Sequence, residues 1–531
     1  MTRHAKLPIG IQAFETIREN GYLYVDKTRH VFRMVDEGMF YFLARPRRFG
    51  KSLLVSTLKC LFQGRRELFH GLWIGEHAEW DWKPYPIILM DFNGITHDTP
   101  ENLKLDLERT LVKAAATHGV EITEPLLKGK FKELLLSIFE KTGRRVVVLV
   151  DEYDKPIIDH LGKGKGGLQT ARLNRDIMKD FWGVLKDIDV SPALRFVFFT
   201  GVSKFSRVSI FSELNNLDDL TMSRFYAEML GYTDAEMTSC FCEHIDLFSQ
   251  ETGQTQDFIL TRLKQQYDGY RFSQKEVTVY NPFSVLKALH HMAFQQYWFE
   301  TGTPTFLVNL MREKGYYFPA LEGLEVTESV FSTYDLDNLR PEALLFQTGY
   351  LTISRVNRLY TLNYPNQEVR HAFLENLFRS LVQDGRTEES SKFALLTGYL
   401  DSEDFNAFFE TITAIFASIP YSLETKRDEA YFHTLFYLMV SASGMDARSE
   451  ILTCRGRIDL AVIFPNKVFL MEFKCDQDAE TGIQQIRNKG YAEPYLQSRK
   501  KVYLMGIDFS SQKRNLADWK VEEENAVKSE P

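Results

Sequence analysis

The run Phe40-Tyr41-Phe42-Leu43, then Arg45-Pro46-Arg47-Arg48-Phe49-Gly50-Lys51-Ser52, then the helical pattern Leu53–Phe62, decides how this chain is read. A buried strand, a tight loop ending in Gly-Lys-Ser and a helix together aim backbone N–H groups and the positive end of the helix dipole at a phosphate. In that geometry Gly50 lets the backbone approach closely, Lys51 reaches the β- and γ-phosphates, and the Ser52 hydroxyl is placed to ligate Mg²⁺. The pattern is incomplete, because Arg45 stands where G-x-x-x-x-G-K-[ST] has its first glycine. Taken alone, Gly-Lys-Ser can equally be an ordinary helix start.

A second element raises the reading above that alternative. Arg144-Arg145 lead into the apolar run Val146–Val150, which ends in Asp151-Glu152-Tyr153-Asp154. Acidic residues directly after a fully apolar run sit at the carboxyl end of a central strand, where open α/β sheets place their ligand crevice. Asp151 is expected to hold Mg²⁺, directly or through water, and Glu152 to orient or deprotonate an attacking water. The alternative is a strand-end acid that caps the next helix. A third apolar run, Phe196–Phe199, ends in Thr200-Gly201-Val202-Ser203-Lys204. If its strand lies between the other two, Thr200 is a candidate γ-phosphate sensor. Arg207 and Arg224 are available as arginine fingers, and neither is assignable.

Outward from these motifs, the chain divides by texture. Residues 1–223 alternate short apolar runs with helical stretches, which predicts a mostly parallel α/β sheet. Residues 224–419 carry helical periodicity with scattered aromatics and read as largely helical. Residues 420–515 read as a helix, a hairpin, a further helix and a strand. Residues 516–531 read as a charged, frayed tail, and Gly162–Gly167 (GKGKGG) as a flexible stretch.

The hairpin carries the second constellation. Gly456–Phe464 and Lys467–Lys474 flank Pro465-Asn466, and a loop symmetric about that pair sets Asp459 directly across from Glu472. Alternation puts Arg457, Asp459, Glu472 and Lys474 on one face. Like charges directly opposite are destabilising unless compensated, and a hard divalent cation, Mg²⁺ or Mn²⁺, is the natural compensation. Lys474 points the same way and could orient a water or neutralise a phosphate. The bland alternative is a surface cluster of ordinary ion pairs. Glu429 and His433 share a helix face near the start of the hairpin, and Glu450 precedes Ile451–Cys454. Gln485 and Lys489 share a face of the following helix, with Tyr491 close by.

Composition bounds the rest. The chain has 531 residues, 44% of them hydrophobic, and a net charge of −8. That length suggests about three or four domains, and so apolar a chain is not disordered. Net acidity argues against a basic coat for nucleic acid and leaves local basic sites open. Five scattered cysteines, Cys60, Cys240, Cys242, Cys454 and Cys475, form no disulfide framework or zinc set, and predict a reduced cytoplasmic setting. No signal peptide or membrane-spanning run is seen.

The residues now support a resemblance over nearly the whole length. RPRRFGKSL (Arg45–Leu53), VLVDEYDKP (Val148–Pro156) and TGVSKFSRVSIFSELNN (Thr200–Asn216) resemble the bacterial AAA-ATPase-like domain family. GRIDL, MEFK and the segment from Gln485 to Tyr491 resemble the PD-(D/E)XK nuclease domain commonly fused to it. YNPF (Tyr280–Phe283), WFETG (Trp298–Gly302) and TGYL (Thr348–Leu351) fit as well. The resemblance implies an AAA-like P-loop sheet, a largely helical middle and a restriction-endonuclease-like α/β end. It implies Lys51, Ser52, Asp151 and Glu152 as ATP and Mg²⁺ residues, within a nucleotide loop of Arg48, Phe49, Gly50, Lys51, Ser52 and Leu53. In the nuclease half it implies Asp459, Glu472 and Lys474, with Glu429 as a helix acid at the metal and Gln485 as accessory. The expected function is ATP binding and hydrolysis linked to metal-dependent cleavage of nucleic acid, DNA by analogy, with oligomerisation open. The alternatives are a nucleotide-dependent switch whose nuclease fold binds without cleaving, and a scaffold with both sites degenerate.

Overall fold

The computed structural model describes residues 4–204, 216–298, 307, 311, 318–331, 340–382, 388–419, 428–497 and 500–524. It separates into two compact units, one of residues 1–311 and 325–368, the other of residues 312–324 and 369–531.

The first unit is built on the predicted apolar runs. Strands β1 (Phe40–Ala44), β2 (Ile87–Asp91), β3 (Val146–Asp151), β4 (Leu194–Gly201) and the short β5 (Asp218–Asp219) form one sheet in the order β2-β3-β4-β1-β5. Every neighbouring pair is parallel. β1 and β3 are buried along their whole length, as continuous apolar runs covered on both faces require. β4 lies between the strand that enters the phosphate loop and the strand that ends in Asp151. Leu43 pairs with Thr200, and Val150 with Phe199. The carboxyl ends of all three strands therefore line one crevice.

The GKGKGG stretch, expected to be flexible, instead runs into the helix Gly164–Trp182, which buries Ala171, Asn174, Met178 and Phe181. Packing of that face outweighs the poor helix propensity of its glycines. From residue 234 the unit is helical, with Asp234–Cys240, Cys242–Thr252, Gln256–Tyr267 and Pro282–His291 around a core that includes Phe241, Phe248, Leu263 and Tyr280. A small three-stranded sheet of β6 (Leu324–Val326), β7 (Thr352–Val356) and β8 (Tyr360–Asn363) interrupts this largely helical region.

The second unit centres on a mixed sheet ordered β13-β12-β11-β10-β9, from β9 (Asp446–Thr453), β10 (Gly456–Ile463), β11 (Lys467–Cys475), β12 (Lys501–Ser510) and β13 (Asn515–Glu524). The hairpin register is the predicted one, with Leu460 across from Met471 and Ile463 across from Val468. β11 and β12 are parallel, joined through the helix Ala479–Asn488, whose Ile483 and Ile486 pack on Ala461, Val468 and Leu470. The opposite face meets aromatic side chains: Phe436 lies 5.1 Å from Phe473, and Phe405 5.5 Å from Tyr503, between ring centroids.

The helices Gln367–Val382, Glu388–Asp401 and Phe405–Ala417, expected in the middle region, group from Val369 onward with the second compact unit. Helical periodicity identifies a helix without saying which sheet its apolar stripe covers. The expected frayed tail is β13 as far as Glu524, antiparallel to β12 and anchored by Trp519 stacked on Phe409 at 4.5 Å. Charges alternating along the outer face of an edge strand read as a solvated tail, because only half its residues meet the core. Residues 525–531 of that tail lie outside the described residues.

Candidate active sites

The first site gathers at the carboxyl ends of β1 and β3. Gly50 has φ 89°, a left-handed conformation that glycine adopts without penalty, and directly precedes the helix Lys51–Phe62. Lys51 is buried; its Nζ donates to the Pro46 carbonyl at 3.2 Å and stands 3.7 Å from Glu152 Oε1. The Ser52 hydroxyl hydrogen-bonds to the Asp151 carboxylate. Burial raises the Asp151 carboxyl to about 6, against that bond and the Lys51 charge. Glu152 has φ 52°, a strained conformation for a glutamate. Its N–H donates to Asp151 Oδ1 at 3.0 Å. Gly50, Lys51, Ser52, Asp151 and Glu152 are thus brought together, and the Ser52–Asp151 pair suits a hard cation beside a phosphate.

Other predicted residues take different roles. Phe49 is buried edge-on against Tyr270 and Phe272, so its side chain anchors the loop. Arg48 has φ 68° and lies over the Phe283 ring at 4.8 Å. Leu53, one turn into the helix, faces a cleft beside the loop. Thr200, the candidate sensor, is fully buried, and its hydroxyl donates to the Leu43 carbonyl at 2.8 Å, tying β4 to β1. A hydroxyl that closes a strand end cannot be told from a ligand sensor by spacing. Arg207 lies outside the described residues, and Arg224 is exposed over Phe225.

Asp154 and Arg45 tie the strand ends around this site to later segments of the chain. Asp154 accepts from the Val202 and Ser203 N–H groups at 3.0 and 2.6 Å and from the Ser203 hydroxyl at 2.7 Å. Gly201 is obligatory there, since an added Cβ would meet Asp154 Oδ1 at 2.4 Å. Arg45, in the place of the first loop glycine, turns away from the loop. It is buried, donates to the carbonyls of Ala44, Thr221 and Tyr226 at 2.8–3.1 Å, and stacks 4.2 Å from Phe272. Burial lowers its guanidinium to about 9 against the favourable charge of Asp219, so it stays charged at neutral pH. Arg45→Met would strand those carbonyls, and denaturant unfolding of the first unit is expected to show a loss of about 2–4 kcal/mol. An unchanged midpoint would show that the clamp carries no stability.

The second site sits where β10 and β11 run beside each other. Asp459 Oδ2 accepts the Phe473 N–H at 2.9 Å. Glu472 is buried; its Oε1 accepts from Gln485 Nε2 and lies 3.9 Å from Lys474 Nζ, while its Oε2 is buried and makes no hydrogen bond among the described residues. Burial, and then the Asp459 charge, pushes the Glu472 carboxyl well above the usual range, with Lys474 opposing. Burial likewise raises Asp459, with Glu429 and Glu450 adding to the rise. Glu429 is the exposed first residue of the helix Glu429–Ala442, and its charge adds to the rise at both Asp459 and Glu472.

His433 and Glu450 serve as supports. His433 is buried 4.9 Å from the Phe473 ring, its Nδ1 is 3.6 Å from Glu450 Oε1, and it hydrogen-bonds to the backbone of Asp459. Glu450 lies within β9 and pairs with Arg457. Tyr491 accepts the Arg457 N–H at 3.0 Å. Lys489 is exposed.

Among the described residues, no three His, Cys, Asp or Glu side chains converge as a metal cage. The fit to a cation rests instead on the buried, unbonded oxygen of Glu472 facing a second acid. Such a pair needs a proton or a cation, and a hard divalent ion that keeps several waters would complete its shell without further protein ligands. Among the described residues no helix is long and apolar enough to cross a membrane, and all five cysteines are free.

Comparison with known proteins finds family models over the two regions that contain these residues. Residues 8–211 match the family model described as predicted AAA-ATPase, and residues 427–519 match the PD-(D/E)XK nuclease superfamily model. Over 97% of its length the chain is 38% identical to 99% of a protein from Azotobacter chroococcum mcd 1, described as an uncharacterized protein in the vnfD 5′ region.

Proposed function

Because this chain belongs to the predicted AAA-ATPase family and carries a C-terminal PD-(D/E)XK nuclease superfamily domain, we propose that it is an ATP-dependent, metal-dependent nuclease acting on DNA phosphodiester bonds. The observation that carries the reading is the buried Glu472 beside the half-buried Asp459, with one unbonded Glu472 oxygen and Lys474 and Gln485 beside it.

In the first unit, Gly50 and the start of its helix receive the phosphates of ATP, and Lys51 neutralises their charge. Ser52 and Asp151 would hold Mg²⁺, which supplies charge neutralisation at the phosphate oxygens. Glu152 orients the attacking water. In the second unit, Asp459 and Glu472, with Glu429 at the margin, would hold Mg²⁺ or Mn²⁺, which polarises the scissile phosphate and acidifies water. Lys474 steadies the attacking water and the phosphate charge, and Gln485 fixes the orientation of Glu472. Exposed Arg455 and Arg457 beside the site suit contact with the nucleic-acid backbone. A cytoplasmic setting belongs to the same proposal and is supported by the five free cysteines.

The deciding experiment is incubation of supercoiled plasmid with Mg²⁺ or Mn²⁺, with and without ATP. The parent is expected to nick and linearise it. Plasmid binding without cleavage under either metal would select the nucleotide-dependent binding module instead.

A pH dependence follows. In the metal-free protein Asp459 and Glu472 have carboxyls raised above their unfolded values. The folded form therefore holds protons that the unfolded chain releases, so stability falls as pH climbs from the ordinary carboxylate range through the raised values. A bound cation takes the place of those protons. The rise in melting temperature on adding Mn²⁺ is therefore expected to be larger near about pH 8 than near about pH 6. A pH-independent shift in a thermal melt would contradict cation binding at this pair.

A further inference from the structure

β9 and β10 meet in a tight hairpin whose loop is Cys454 and Arg455, with Thr453 paired to Gly456, Leu452 to Arg457 and Ile451 to Ile458. Its base is anchored: Ile451 and Ile458 pack with Ile483, Ile486 and Tyr491. Its tip is braced as well. The Tyr491 hydroxyl accepts the Arg457 N–H at 3.0 Å, the Thr453 hydroxyl donates to the Gly456 carbonyl at 3.0 Å, and Arg455 Nη1 meets Glu493 Oε1 at 3.1 Å. What this stiff tip holds out is Leu452, 82% exposed, directly across from the exposed Arg457 and beside the exposed Arg455. Edge strands ordinarily present charge to water, so a leucine projected among arginines at the end of β9 calls for a partner that is apolar at its centre and anionic around it.

We propose that this tip is a wedge for duplex DNA: Leu452 inserts at a weakly stacked base step while Arg455 and Arg457 hold the flanking phosphates, which makes a mismatched duplex the preferred substrate. The proposal rests on the reading of Asp459 and Glu472 as a nuclease site. Stacked bases offer an apolar interior between two lines of phosphate, and apolar side chains are inserted between base steps in this way by proteins that kink DNA. Unstacking costs least at a mismatch, so a wedge favours that step over a paired one. Arg455 and Arg457 already meet Glu493 and Glu450, but each guanidinium has five N–H donors and keeps capacity for a phosphate. The spacing also fits. Arg457 is two residues before Asp459 in β10, about 7 Å along a strand, which matches about two base steps.

The test uses the full chain and a short duplex with one central mismatch, its fully paired counterpart, and a fluorescent adenine analogue beside the mismatch that brightens when unstacked. With Ca²⁺, the mismatched duplex is expected to bind about tenfold more tightly than the paired one, and the analogue to brighten. With Mn²⁺, cleavage is expected about two nucleotides from the mismatch. Leu452→Ala should bring the mismatched duplex down to the affinity of the paired one and abolish the brightening, and Leu452→Phe should restore both. Because Leu452 is exposed, a thermal melt of each variant should match the parent. Equal affinity of the parent for the two duplexes, or a mismatch preference and brightening that survive in Leu452→Ala, would overturn the proposal. If the parent binds and unstacks the mismatched duplex but never cuts it, the nuclease reading fails and the wedge stands. If it binds neither duplex, both readings fall.

Discussion

Glu472→Gln is expected to lower DNA cleavage by on the order of a thousandfold while raising the melting temperature of the metal-free protein. The two effects have one cause. Glu472 is buried beside Asp459, and its ionised form is disfavoured by that burial first and by the neighbouring charge second. An amide keeps the shape and can still meet Gln485, but it presents no charge to a cation. The amide needs neither a buried charge nor the proton that the folded carboxyl must take up, which stabilises the metal-free protein by about 1–2 kcal/mol. Plasmid nicking and a thermal melt on the same preparation separate this from unfolding, which would lower both. Cleavage within about tenfold of the parent would remove Glu472 from the reaction.

Lys51→Ala is expected to weaken ATP binding by about a hundredfold or more, because it removes a buried cation aimed at the phosphates. It also leaves Glu152 without the ammonium 3.7 Å away, so the empty site becomes more negative. Equilibrium binding of a fluorescent ATP analogue reads the effect, with plasmid cleavage at saturating Mn²⁺ and no ATP as the control. The variant should keep any ATP-independent cleavage, because Asp459, Glu472 and Lys474 belong to the other unit. Undiminished ATP binding would show that the Gly-Lys-Ser sequence is an ordinary helix start.

The elements whose chemistry is local were legible in the sequence. Val146–Val150 announces a central strand because five consecutive apolar residues need cover on both faces, and the acids after it mark the crevice. The Pro465-Asn466 turn set the register of β10 and β11, and period-two alternation then put Asp459 and Glu472 on one face. What escaped was decided by tertiary packing. Thr200 had the right position for a sensor, yet its hydroxyl goes to the Leu43 carbonyl across a strand pair. Arg45 looked like a defect in a loop and is a clamp on carbonyls nearly 180 residues away. Asp154 was visible as an acid in VLVDEYDKP, but its hold on Val202 and Ser203 needs β3 and β4 to be neighbours. The apolar stripes of residues 367–417 gave helices and could not say which sheet they cover.

The placement of β13 has a consequence for how the molecule comes into being. The first unit is complete in the chain by Glu368. The strand that carries Glu472 gains its parallel neighbour only from residues 501–510, and the sheet gains its outer edge only from residues 515–524. Domains form in the order in which synthesis delivers them. A nascent chain therefore owns a finished first unit well before its second sheet can close. The carboxylate pair at Asp459 and Glu472 is the last part of the molecule to become a site, and a messenger truncated near its end yields a protein in which it never does.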